Sequence, residues 1–95
     1  MSETDIVRAI LRYLKSVKNC FAWKTHGGPY GTNGIPDIIC CLNGRFFGFE
    51  VKTEVGKPTK LQEVVIRKIN AAGGTALVVR SVDEVKAAIA PYTEQ

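Results

Sequence analysis

The sequence has no CxxC pair and three cysteines, Cys20, Cys40 and Cys41, two of them adjacent. An odd count without paired spacing excludes a disulfide framework and a zinc ribbon, and leaves buried free thiols in a reducing compartment as the expectation. No apolar run approaches the length of a membrane-spanning helix, so no membrane partner is expected. The opening MSETDIVRAI carries acids early and no long apolar core, which does not read as a signal peptide. A cytoplasmic, soluble protein is therefore expected. Internal repeats and low-complexity segments are also missing.

What is present describes one globular domain spanning residues 1–95, since the length leaves no room for a second core. Hydrophobic residues make up 45% and charged residues 23%, too apolar for a disordered tail. A net charge of +4 leans toward a polyanionic partner without deciding it. Ser2 to Val17 has helical apolar spacing (Ile6, Val7, Ile10, Leu11, Leu14, Val17), with Ser2 and Asp5 placed to cap it. Cys20 to Thr25 reads as a strand, with Trp23 expected in the core. Thr25 to Gly34 holds four glycines and one proline and reads as a mobile loop. Ile38–Leu42 and Arg45–Thr53 read as strands joined by an Asn43-Gly44 type I′ turn. Thr59–Ala72 reads as a helix with a Thr59/Gln62 capping box, Thr75–Val79 as a buried strand, and Ser81–Ala90 as a helix capped by Ser81 with Glu84 and closed by Pro91. The order α-β-β-β-α-β-α predicts an α/β fold, a mixed sheet flanked by helices.

The hairpin carries charges where charges cost most. With Asn43 and Gly44 as the loop, Leu42 faces Arg45 and the pairing runs out to Asp37 opposite Glu50, on one face with Lys52. Phe47, Phe49 and Val51 then point into the core. Two carboxylates roughly 5 Å apart repel by about 3 kcal/mol at an effective dielectric near 20. A hard divalent cation, Mg²⁺ or Mn²⁺, reverses that sign. Lys52 beside them can orient a water or neutralise developing charge, as phosphodiester cleavage requires. The plainer alternative makes Asp37 a turn residue and Glu50 with Lys52 an exposed surface pair.

Pro36-Asp37 followed by Glu50-Val51-Lys52 resembles the PD-(D/E)XK nuclease superfamily. "KTHGGPYGTNGIPDII", "GRFFGFEVKTEVGKPTKLQ" and "INAAGGTALVVRSVDEV" extend the resemblance to the VRR-NUC family, in particular to its small stand-alone viral or bacterial members. The resemblance covers nearly the whole chain. It implies a restriction-endonuclease-like αβββαβ core and a metal held by Asp37, Glu50 and the backbone carbonyl of Val51. It further implies Lys52 positioning the attacking water, Gln62 as an active-site glutamine, and Glu3 supplementing the metal site, with Asp5 one helical step away. Gln62 equally fits the capping box alone, and Glu3 equally fits a favourable interaction with the helix dipole.

Lys24 and His26 are candidates for phosphate contact, although a loop histidine is commonly incidental. Lys57 and Lys60 flank Pro58 at the start of the second helix and form a candidate phosphate site. Tyr30 and Trp23 could stack on a base, with the core as the favoured place for Trp23. These readings converge on an Mg²⁺- or Mn²⁺-dependent endodeoxyribonuclease. No base-reading module is visible, so a shape-selective enzyme acting on junction, flap or branched DNA is expected. A homodimer would bring two sites to a four-way junction. The alternatives are a binding module that cuts nothing, a nuclease subunit active only in a complex, and a structural domain with surface acids.

Overall fold

The computed structural model describes residues 1–26 and 31–93. Its elements are α1 (Glu3–Lys15), β1 (Cys20–Lys24), β2 (Ile38–Leu42), β3 (Arg45–Val51), α2 (Lys60–Ala71), β4 (Thr75–Val79) and α3 (Val82–Ile89), closed by a 3₁₀ turn at Ala90–Tyr92. The expected α/β order holds. The strands form one mixed sheet in the order β1-β2-β3-β4. Neighbours β1, β2 and β3 are antiparallel, while β4 pairs parallel with β3 after the α2 crossover.

Asn43 and Gly44 adopt φ of 50° and 81°, the left-handed pair a type I′ hairpin needs. This turn fixes the register: Leu42 opposes Arg45 and Ile38 opposes Phe49. Period-two alternation then sorts the sheet into two faces. One face carries Ala22, Cys40, Leu42, Phe47, Phe49 and Val51, buried against Ile10 and Leu14 of α1 and Val85 and Ile89 of α3. The other face carries Phe46, Gly48 and Glu50, with α2 packed over its β3–β4 side. There a Cβ on Gly74 would stand 2.9 Å from Ile69 Cγ2 and 3.1 Å from Phe46 Cδ1. Asn70 of α2 both donates to and accepts from the backbone of Ala76, which fixes the helix on β4.

Three expectations are corrected. Trp23 is not in the core but 45% exposed, because the edge strand β1 turns it toward the face α2 leaves open. Cys41 is exposed, since it points opposite to buried Cys40, whose thiol burial pushes up to about 12. β3 ends at Val51 rather than Thr53, because the next carbonyls leave the sheet. Arg80 Nη1 donates to Thr53 O at 2.5 Å, Gly56 O at 2.6 Å and, at a longer 3.4 Å, Glu54 O. The capping boxes of α1 and α2 are present. In α3, Ser81 caps Glu84 N, whereas the Glu84 carboxylate accepts from Arg80 N instead. Tyr30 and the rest of residues 27–30 lie outside the described residues.

Candidate metal centre

Asp37 is held in place before β2 begins. Thr25 donates its backbone N–H to Asp37 O at 2.9 Å and its hydroxyl to Pro36 O at 2.8 Å, extending the β1–β2 ladder by one step. Continuing the β2–β3 register by one pair sets Asp37 opposite Glu50. The Val51 backbone N–H donates to Asp37 Oδ2 at 2.8 Å, which turns the carboxylate toward β3. Glu50 is 2% exposed and its Oε1 has no hydrogen-bond partner. Its Oε2 lies 3.6 Å from Lys52 Nζ, whose own side chain is 12% exposed.

The electrostatics follow from that packing. Burial, the hydrogen bond that the protonated Glu50 carboxyl donates to Asp37, and the charge of Asp37 push the Glu50 carboxyl up to about 8, against the opposing pull of Lys52. An acid placed where it resists ionisation, with one oxygen orphaned, is poorly suited to a purely structural role. The geometry fits a hard divalent cation. Two carboxylates face each other, one has an unclaimed buried oxygen, and the donors are all oxygen.

The remaining candidates divide. Lys24 and His26 line a cleft of about 350 Å³ together with Thr25, Thr32, Asn33 and Asp37, so both stand beside Asp37, while Glu50 and Lys52 do not line it. Lys24 Nζ is partly engaged by Thr25 O at 3.2 Å. Lys57 and Lys60 are exposed, and neither lines this cleft among the described residues. Gln62 Oε1 accepts from Thr59 N at 2.9 Å, so of its two open roles the structure displays the cap. Glu3 is exposed in the first turn of α1. Among the described residues no three His, Cys, Asp or Glu side chains gather as a metal cluster, so Glu3 does not join Asp37 and Glu50 here. Val51 is tied to the site through its N–H.

Two contributors had no signal in the sequence. Thr25 anchors the backbone of Asp37. Arg80 clamps the loop that leaves the catalytic-strand candidate β3, from 24 to 27 residues away.

No protein-family model matches the sequence, and no curated protein matches it. Its structure, however, is similar to solved ones. A structure described as "VRR_NUC domain" superposes with a TM-score of 0.78 at 22% identity, covering 97% of this chain and 99% of the other. A second, described as "VRR_NUC domain protein", gives 0.76 at 19% identity, covering 97% and 88%. A four-stranded mixed sheet flanked by helices is thus the fold this chain shares with structures described as VRR_NUC domains over nearly its full length.

Proposed function

We propose that the protein is a metal-dependent endodeoxyribonuclease that hydrolyses phosphodiester bonds in branched DNA. One observation carries the reading: Glu50 is buried with an unpartnered oxygen, opposite Asp37 and beside Lys52. The likeness to structures described as VRR_NUC domains supports it.

Asp37 and Glu50 would hold the cation, Mg²⁺ or Mn²⁺, with the Val51 carbonyl completing the edge. A cation there would polarise a phosphoryl oxygen and raise the acidity of a nearby water. Lys52, kept within 4 Å of Glu50, holds a positive charge where negative charge develops on the phosphate, and it orients the attacking water. As water adds to phosphorus the bond to the 3′ oxygen breaks, and that oxygen takes its proton from solvent. Lys24 and His26 at the cleft mouth engage flanking phosphates. Two gathered carboxylates favour one ion per chain; Glu3 would have to swing in for a second. Gln62 would act through its amide N–H while its carbonyl oxygen stays in the cap. A homodimer presents two such sites to a four-way junction, and a light-scattering mass of one chain overturns that part.

The test is cleavage of labelled linear, flap and four-way junction DNA by wild type and Glu50→Gln, in Mg²⁺, Mn²⁺ or EDTA. Metal-dependent cutting by wild type alone, strongest on branched DNA, is the expected result. Tight junction binding with no cutting overturns it in favour of a binding module or a subunit that needs a partner.

A further inference from the structure

The face that carries the carboxylates also carries aromatic rings in solvent. Phe21 is 71% exposed and Trp23 45%. Register places Phe21 opposite Cys41 and Trp23 opposite Ile39, on the same side of the sheet as Asp37 and Glu50. Thr25, whose N–H bonds Asp37 O, is two residues beyond Trp23. Trp23 is therefore one pleat repeat, about 7 Å along β1, from the row that holds the two acids. The rings of Phe21 and Trp23 lie 5.5 Å apart between centroids and tilt by 40°, so the pair is not a closed stack. Lys24 follows on the opposite face of β1 by alternation, at the strand end, and lines the cleft with His26 and Asp37.

We infer that Phe21 and Trp23 form a stacking platform for unpaired nucleobases, so that a single-stranded stretch of DNA lies along β1 with its backbone leading to Asp37 and Glu50. This rests on the nuclease reading for the direction of the strand, and it names the feature of branched DNA that the site would recognise. Every base has a π face, so aromatic rings beside a cationic groove bind single strands with little sequence preference. The Lys24 ammonium sits at the end of β1 nearer the acids, where the phosphate must go.

A second copy of the chain is the rival occupant. Phe21, Trp23 and the 44%-exposed Phe46 together leave about 240–400 Å² of ring surface, taking ~150–250 Å² per aromatic side chain. A stable dimer buries about 800 Å² per partner. The patch is too small for that, and a protein laid on it would lie against the cleft that contains Asp37.

Trp23 is the one tryptophan in the chain, so its fluorescence reads the platform directly. The full chain in EDTA is titrated with oligo(dT) of about 16 nucleotides and, separately, with a blunt duplex of equal length. Oligo(dT) quenches the emission and the duplex leaves it unchanged. Phe21→Ala weakens oligo(dT) binding at least about fivefold. With a labelled oligonucleotide followed by polarisation, Trp23→Ala does the same, while Trp23→Phe stays within about twofold of wild type. No quenching by oligo(dT), or equal quenching by duplex, overturns the inference whether or not the variants fold. Phe21→Ala halving the light-scattering mass would assign the face to a second copy instead. Quenching without any DNA cleavage sinks the nuclease reading alone, and cleavage without quenching sinks the platform alone.

Discussion

Replacing Glu50 by Gln should make the metal-free protein more stable, and more so at high pH. The carboxyl is buried, its Oε1 is unpartnered, and its proton is held to about 8 against an ordinary value of 4.5. Below about 4.5 both folded and unfolded chains carry the proton, so wild type and variant differ little. Between 4.5 and about 8 the unfolded chain has lost the proton while the folded one retains it. Wild-type stability therefore falls as pH rises through that window and levels off above it. Direct repulsion from Asp37 at roughly 5 Å and an effective dielectric near 20 amounts to about 3 kcal/mol. Gln keeps the shape, cannot ionise, and can donate to Asp37. For a chain of this length that energy corresponds to a gain in Tm of at least about 10 °C at pH 9 in EDTA. Thermal unfolding followed by circular dichroism at pH 5, 7 and 9 measures it. A variant no more stable than wild type at pH 9, or a gain of equal size at pH 5, refutes the reasoning. The same substitution should abolish stabilisation by Mn²⁺, so that stability and metal binding move in opposite directions.

Other outcomes follow from the same geometry. Asp37→Asn keeps an acceptor for the Val51 N–H but loses a charge, so the fold survives while cleavage falls at least about a hundredfold and Mn²⁺ affinity drops with it, measurable by calorimetry. Lys52→Ala should lower kcat by about 10²–10⁴ with Mn²⁺ affinity retained, since its proposed part concerns the water and the phosphate rather than the ion. Because a cation must displace the Glu50 proton, apparent Mn²⁺ affinity should climb between pH 6 and about 8 and flatten above, which titration at fixed ionic strength will show. Arg80→Met releases the carbonyls of Thr53 and Gly56 and should cost about 1.5–3 kcal/mol in urea unfolding, with Arg80→Lys recovering only part. Gly48→Ala puts a Cβ 3.0 Å from Pro36 Cγ, next to Asp37, and should cost about 1–3 kcal/mol while reducing cleavage further than that loss alone explains.

The hairpin was legible because two local rules agree. Asn-Gly sets the turn, and strict alternation carries its register out to Asp37 and Glu50 without any tertiary information. Helix starts were legible for the same reason, since Ser2 and Thr59 satisfy backbone groups within their own turn. Trp23 and Cys41 were misjudged because alternation tells which residues share a face, not which face a helix will cover. α1 and α3 cover one side of the whole sheet, whereas α2 covers only part of the other. Glu3 depends on how α1 lies against the sheet, and Arg80 on a clamp that closes across more than twenty residues. Neither relation leaves a local pattern. Gln62 was readable as a cap or a site residue because both need the same position in the first turn of α2.

The proposed function makes the Asp37–Glu50 pair a divalent-cation site that cuts DNA. Mn²⁺ titrated into wild type, with cleavage of a labelled four-way junction sampled at each addition, tests it most directly. Binding should saturate at about one ion per chain, with cutting that rises along the same curve, and neither should occur in Glu50→Gln. Undiminished cutting in EDTA, or Mn²⁺ bound equally by the variant, would contradict it.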